Sequence, residues 1–134
     1  QRVCDPLLDW LDATRLKAVL VLHVNHPKEL DDDVRAALRQ LRDAGVTLLN
    51  QSVLLAGVND SVAVLADLSE RLFDMGVLPY YLHRLDKVEG AHHFEPAPGA
   101  PERLVRELRD LLPGYLVPRY VAEIPGEGAK RLIV

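Results

Sequence analysis

The segment Pro125-Gly126-Glu127-Gly128-Ala129-Lys130 sets a lysine directly after a glycine-containing loop, which itself follows an apolar run. An amine presented this way, partly desolvated and close to backbone amides that can face a phosphate, suits covalent attachment of an aldehyde cofactor. A nucleotide-binding phosphate loop is excluded, because the glycine-to-lysine spacing is wrong and Arg131 stands where that motif needs a hydroxyl. An ordinary solvated lysine is the plain alternative.

Two carboxylates stand apart from the charge on the helices. Asp86 follows the apolar Tyr80-Tyr81-Leu82, and Glu123 is set within Tyr120-Val121-Ala122-Glu123-Ile124. Together they can grip one cationic group through charge-assisted hydrogen bonds, each worth about 1.5–3 kcal/mol. The plain reading instead puts Glu123 on the exposed face of an edge strand. The histidines do not read as a metal site: His92 and His93 are adjacent and point to opposite sides of an extended chain, and no cysteine cluster supports His23 and His26. Cys4 is the one cysteine, so neither an internal disulfide nor a zinc or iron–sulfur site is expected in this chain.

These groups need elements to position them. Asp5-Pro6 has the chemistry of a helix start, with Leu7, Leu8 and Leu11 on one side. The continuous apolar run from Lys17 to Val24 predicts a strand covered on both faces. Asp31 to Asp33 cap a helix carrying Val34, Leu38 and Leu41, which Gly45 ends. A second buried strand is expected over Val46 to Leu55, interrupted by Asn50-Gln51-Ser52, and then a helix with Val62, Leu65, Leu68 and Leu72 that closes at Gly76. A third strand runs from Val77 to about Leu85, a helix carries Leu104, Leu108, Leu111 and Leu112, and a fourth strand covers Tyr115 to Ile124.

Alternating strands and helices imply parallel pairing through right-handed crossovers, with reactive groups collected at the carboxyl ends of the strands. Those ends carry His23, the region around Gln51, Asp86 and the loop to Lys130. A full eight-stranded barrel takes about 250 residues, and the chain has 134. The expected fold is therefore α/β, the second half of a partial TIM-type barrel with parallel strands and outer helices. The boundaries expected are 1–114 for the β/α units and 115–134 for the last strand and lysine loop.

The chain is 49% hydrophobic and 27% charged, enough to bury a core, and its net charge of −4 argues against a general nucleic-acid surface. No apolar run approaches the roughly 20 residues of a membrane span, and the Gln1-Arg2-Val3-Cys4-Asp5 start lacks signal-peptide features. The expected location is cytoplasmic.

Leu22-His23-Val24-Asn25-His26-Pro27, Asn50-Gln51-Ser52-Val53-Leu54-Leu55, Gly57-Val58-Asn59-Asp60, Pro79-Tyr80-Tyr81, His93-Phe94, Gly114-Tyr115-Leu116-Val117-Pro118 and the Lys130 loop occur in one order over nearly the whole chain. In that order they resemble the radical S-adenosylmethionine enzymes of the lysine 2,3-aminomutase family. Leu85-Asp86-Lys87-Val88-Glu89-Gly90-Ala91-His92-His93-Phe94 is most similar to the branch that makes β-lysine for elongation factor P.

The resemblance implies an isomerase that moves an amino group by radical chemistry, converting L-lysine to β-lysine. It also implies pyridoxal 5'-phosphate on Lys130, the substrate ε-ammonium on Asp86 and Glu123, and His23 and Gln51 near S-adenosylmethionine. A [4Fe-4S] cluster is implied too, but its cysteine motif is absent, so those ligands are expected upstream. Glu123 replaces the shorter Asp of the free-lysine enzymes, leaving an aminomutase for another amino acid as an alternative. A non-catalytic barrel fragment needing an N-terminal partner is the other. Ser61 stands where some members carry a zinc-binding cysteine. Expected partners are lysine, the N-terminal half of the barrel, and a second copy in a homo-oligomer.

Overall fold

The computed structural model describes residues 4–13, 16–85, 94–123 (for Glu123, its backbone) and 128–133. Helix α1 spans Asp5–Ala13, strand β1 Val19–Leu22, α2 Asp32–Asp43, β2 Thr47–Val53, α3 Val62–Asp74, β3 Val77–His83, α4 Ala100–Leu111, β4 Arg119–Glu123 and β5 Lys130–Leu132. The helix starts follow local chemistry. The Asp31 carboxylate caps α2 by accepting from the Val34 amide at 2.9 Å, with Asp32 and Asp33 in the first turn. The Ser61 hydroxyl caps α3 by accepting from the Val64 amide at 3.1 Å. Gly45 and Gly76, both at positive φ, turn the chain from α2 and α3 into the strands that follow.

The five strands form one sheet in the order β1-β2-β3-β4-β5. The first four pair in parallel, and β5 lies antiparallel to β4. Each parallel strand is added beside the one before it, as in a barrel, whereas a doubly wound sheet reverses direction partway. The two hydrophobic clusters lie on one face. Leu48 and Val77 pack with Leu38, Leu41, Leu68 and Leu72, while Leu82 and Tyr120 pack with Leu65, Leu104, Val105 and Leu108. The opposite face lacks that helix cover among the described residues, as the inner side of a barrel wall does.

Two expectations need correction. β1 is not covered on both faces: it has one neighbouring strand among the described residues, and Val19 and Leu20 are 56% and 38% exposed. A continuous apolar run reports what a strand is suited to pack against, not what is beside it. The second concerns the segment from Lys130 on, expected as part of a terminal loop: Lys130 follows the glycine segment as expected but opens a fifth strand, β5, pairing in register with Glu123. Glu123 accordingly lies on a strand flanked by β3 and β5, not at an edge.

β3 departs from regular pairing where the register shifts: Asn50 faces Pro79, and Gln51 faces Tyr81. Tyr80 is the extra residue. Proline cannot donate to a ladder, and an interior strand accepts one at such a bulge. The insertion reverses the side-chain parity of β3. Val77 and Pro79 point to the helices before it; after it Leu82 does so, leaving Tyr81 and His83 on the open face.

Candidate active site on the open sheet face

Side-chain amides extend the sheet where its ladder stops. Asn50, 1% exposed, accepts from the Val24 amide at 2.9 Å and donates to the Val24 carbonyl at 3.1 Å, imitating a strand pair. Asn25 accepts from the Val53 amide at 2.9 Å. Asn59, fully buried, donates to the carbonyls of Asn25 and Val53 at 2.8 and 2.9 Å and accepts from the Leu55 amide at 2.8 Å. Each amide has both donors and an acceptor, so it can satisfy backbone groups that diverging strands leave unpaired. The carboxyl ends of β1 and β2, with the loop into α3, are thereby locked together.

On this frame the open face brings residues from four strands together. The His83 Nε2–H of β3 donates to Gln51 Oε1 of β2 at 3.2 Å. The His83 and Tyr81 ring centroids lie 5.7 Å apart at an interplanar angle of 70°. Lys130 of β5 reaches back so that its Nζ sits 5.5 Å from the Tyr81 ring centroid. Arg119 of β4 is level with Tyr81 in the register. Tyr80 stacks obliquely on Tyr81 at 4.0 Å. Hydrogen bonding with Tyr80, then burial, holds the Tyr81 hydroxyl above the usual tyrosine range, while the Arg119 charge pulls the other way. The phenol is therefore neutral at physiological pH, and its ring face can receive a cation.

Of the residues singled out in the sequence, Gln51 and Lys130 share this face. His23 is exposed, one residue beyond β1, between Leu22 and the pinned Val24. Glu123 is level with Lys130 in the β4–β5 register. Asp86, His92, His93 and the Pro125-Gly126-Glu127 part of the loop lie outside the described residues. Sequence reasoning gave no role to His83 or Arg119, and read Tyr81 and the asparagines only as motif letters. Tyr81 and His83 at period two carried the signal for a shared face, and asparagines inside apolar strands carried the signal for the amide bridges.

The groups implied for the site can be tested against this geometry. Pyridoxal 5'-phosphate fits the donor set: a lysine amine, flat aromatic rings beside it, and the Arg119 cation on the same face. An iron–sulfur cluster does not fit, since the only cysteine is the exposed Cys4 and no group of three or more His, Cys, Asp or Glu among the described residues could hold a metal.

The chain is 50% identical over 129 residues to the L-lysine 2,3-aminomutase of Escherichia coli strain K12, covering 96% of this chain and 38% of that protein. With the protein of the same name from Haemophilus influenzae the identity is 48% over 132 residues, covering 98% and 39%. With that of Clostridium subterminale it is 42% over 108 residues, covering 81% and 26%. The chain thus spans less than two fifths of these curated relatives. The crystal structure of a radical SAM methyltransferase from Sphaerobacter thermophilus matches with a TM-score of 0.53 at 22% identity, covering 87% of this chain and 38% of that one. That likeness concerns the fold, and it agrees with a partial TIM-type barrel. No protein-family model matches the chain. Over the stretch that it spans, the chain is similar to proteins named L-lysine 2,3-aminomutase.

Proposed function

We propose that this chain is the substrate- and pyridoxal-binding part of a radical lysine 2,3-aminomutase, an isomerase that converts L-lysine to β-lysine, with elongation factor P as the destination of the product. One observation carries the reading: Lys130 crosses from β5 to lie over Tyr81, on the open face shared with Gln51 and His83. An amine in that position is shielded on one side by an aromatic ring.

Lys130 is the covalent anchor for pyridoxal 5'-phosphate. When bound, that group supplies an aldehyde for amines and a conjugated ring that delocalises an unpaired electron. Asp86 and Glu123 bind the substrate ε-ammonium, and His23 and Gln51 face S-adenosylmethionine. The chain's own work is distance and orientation, holding reacting groups within near-attack range. Radical generation is not assigned to its residues, because they cannot ligate the cluster; that chemistry belongs to an N-terminal half of the barrel.

Borohydride reduction after addition of pyridoxal phosphate tests the anchor. Peptide mass spectrometry is expected to find the pyridoxyl label at Lys130, and Lys130→Ala is expected to lose it. Equal labelling of Lys17, Lys28, Lys87 and Lys130 would remove the assignment.

A further inference from the structure

Four side chains on the open face form a series of contacts running from β2 to β5. Gln51 accepts from His83, the His83 ring stands nearly perpendicular to Tyr81, and Tyr81 underlies the Lys130 amine. The second torsion of an aromatic side chain is broad, so neighbours rather than the backbone choose the plane of the ring. For Tyr81 those neighbours are Tyr80 at 4.0 Å and His83 at 5.7 Å. The imidazole of His83 has the same freedom, and its hydrogen bond to Gln51 at 3.2 Å restricts it.

We propose that His83, held by Gln51, is a positioning residue that sets the plane of the Tyr81 ring and through it the place of the Lys130 amine. Its functional meaning rests on the reading of Lys130 as cofactor anchor; its geometry does not. The bulge at Tyr80 is the backbone device that makes the arrangement available, since regular pairing would turn Tyr81 and His83 toward the helices. Gln51 then acts on the far end of the site without touching what Lys130 binds. Losing its acceptor oxygen removes this restraint on the His83 ring, and with it a restraint on the plane of Tyr81.

Ring-current shifts read this directly, with no cofactor added. Lysine side chains are labelled with carbon-13 and the Lys130 ε-methylene signal is assigned with Lys130→Arg. In the unsubstituted chain that signal is expected upfield of those of Lys17 and Lys28. Tyr81→Leu is expected to abolish the displacement. His83→Leu and Gln51→Leu are expected to lose most of it, and Gln51→Glu, which keeps an acceptor for His83, to retain it. His83→Phe and Gln51→Ser cut the same hydrogen bond with a smaller change of character and give the same reading should a leucine variant fail to fold. A Lys130 signal unmoved by the folded His83 and Gln51 variants would overturn the proposal. Failure of borohydride to label Lys130 would instead overturn the cofactor anchor, so the two ideas fail separately.

Discussion

Asn59 joins more of the site's frame than any catalytic candidate does, with one side chain bonded to three backbone groups from two strand ends and a loop. Asn59→Ala leaves those groups unpaired in a dry interior, where each orphaned polar group costs about 1–3 kcal/mol. Urea denaturation is therefore expected to show a loss of several kcal/mol. Asn59→Asp should be nearly as damaging, because a carboxylate cannot donate to the two carbonyls.

Tyr120 carries a pH signature at the same scale. Burial, and then the Glu102 charge, raise its hydroxyl above the ordinary value of 10.0, with Arg84 opposing. The folded state keeps a proton that the unfolded chain has released. Its contribution is complete below pH 10 and is lost as pH rises through the folded value. Thermal melts from about pH 9 to 11 should fall less steeply for Tyr120→Phe than for the unsubstituted chain. Parallel slopes would count against a buried phenol.

Among the elements, α3 is the most exacting, because it enters from the Asn59 loop and leaves through a tight turn. Ser61→Ala removes the hydroxyl that caps Val64 and is expected to cost about 1 kcal/mol in urea denaturation, whereas Ser61→Asp keeps the cap. At the other end, Gly76 has φ +81° and packs where a methyl would meet the Arg42 side chain. Gly76→Ala is expected to cost about 1–3 kcal/mol from the positive φ, since the arginine can move aside and the backbone cannot. The two effects should add, the sites being at opposite ends of a 13-residue helix.

For the molecule as a whole, the unusual feature is the apolar edge at β1. Val19 and Leu20 are exposed there, beside a cavity of about 640 Å³ lined by Leu7, Leu11, Leu22, Val34 and Leu38. An uncovered apolar edge strand favours association. Sedimentation velocity on this chain should show concentration-dependent self-association that Val19→Lys with Leu20→Lys suppresses. No helix among the described residues is long and apolar enough to cross a membrane. The ε-ammonium assignment is a whole-protein question as well. With the remainder of the barrel present, Glu123→Gln or Asp86→Asn should weaken lysine binding roughly ten-fold or more through loss of a charge-assisted bond. Binding of norleucine, which lacks the charge, should change little, and equal losses would remove the assignment.

The sequence by itself determined the α/β alternation, the helix caps at Asp31 and Ser61, and the turns at Gly45 and Gly76. All of these are chosen by interactions within a few residues. It also carried the ordered motifs on which the resemblance to lysine 2,3-aminomutases rests. Only the tertiary structure decided which face each strand presents. β1 is half exposed because burial depends on neighbours that its own apolar run cannot specify. Tyr81 and His83 join the open face because one extra residue at Tyr80 changes the pairing parity, a property of two strands taken together. Lys130 becomes the first residue of an antiparallel strand and meets Tyr81 across β4, a contact between residues far apart in the chain that no local spacing encodes.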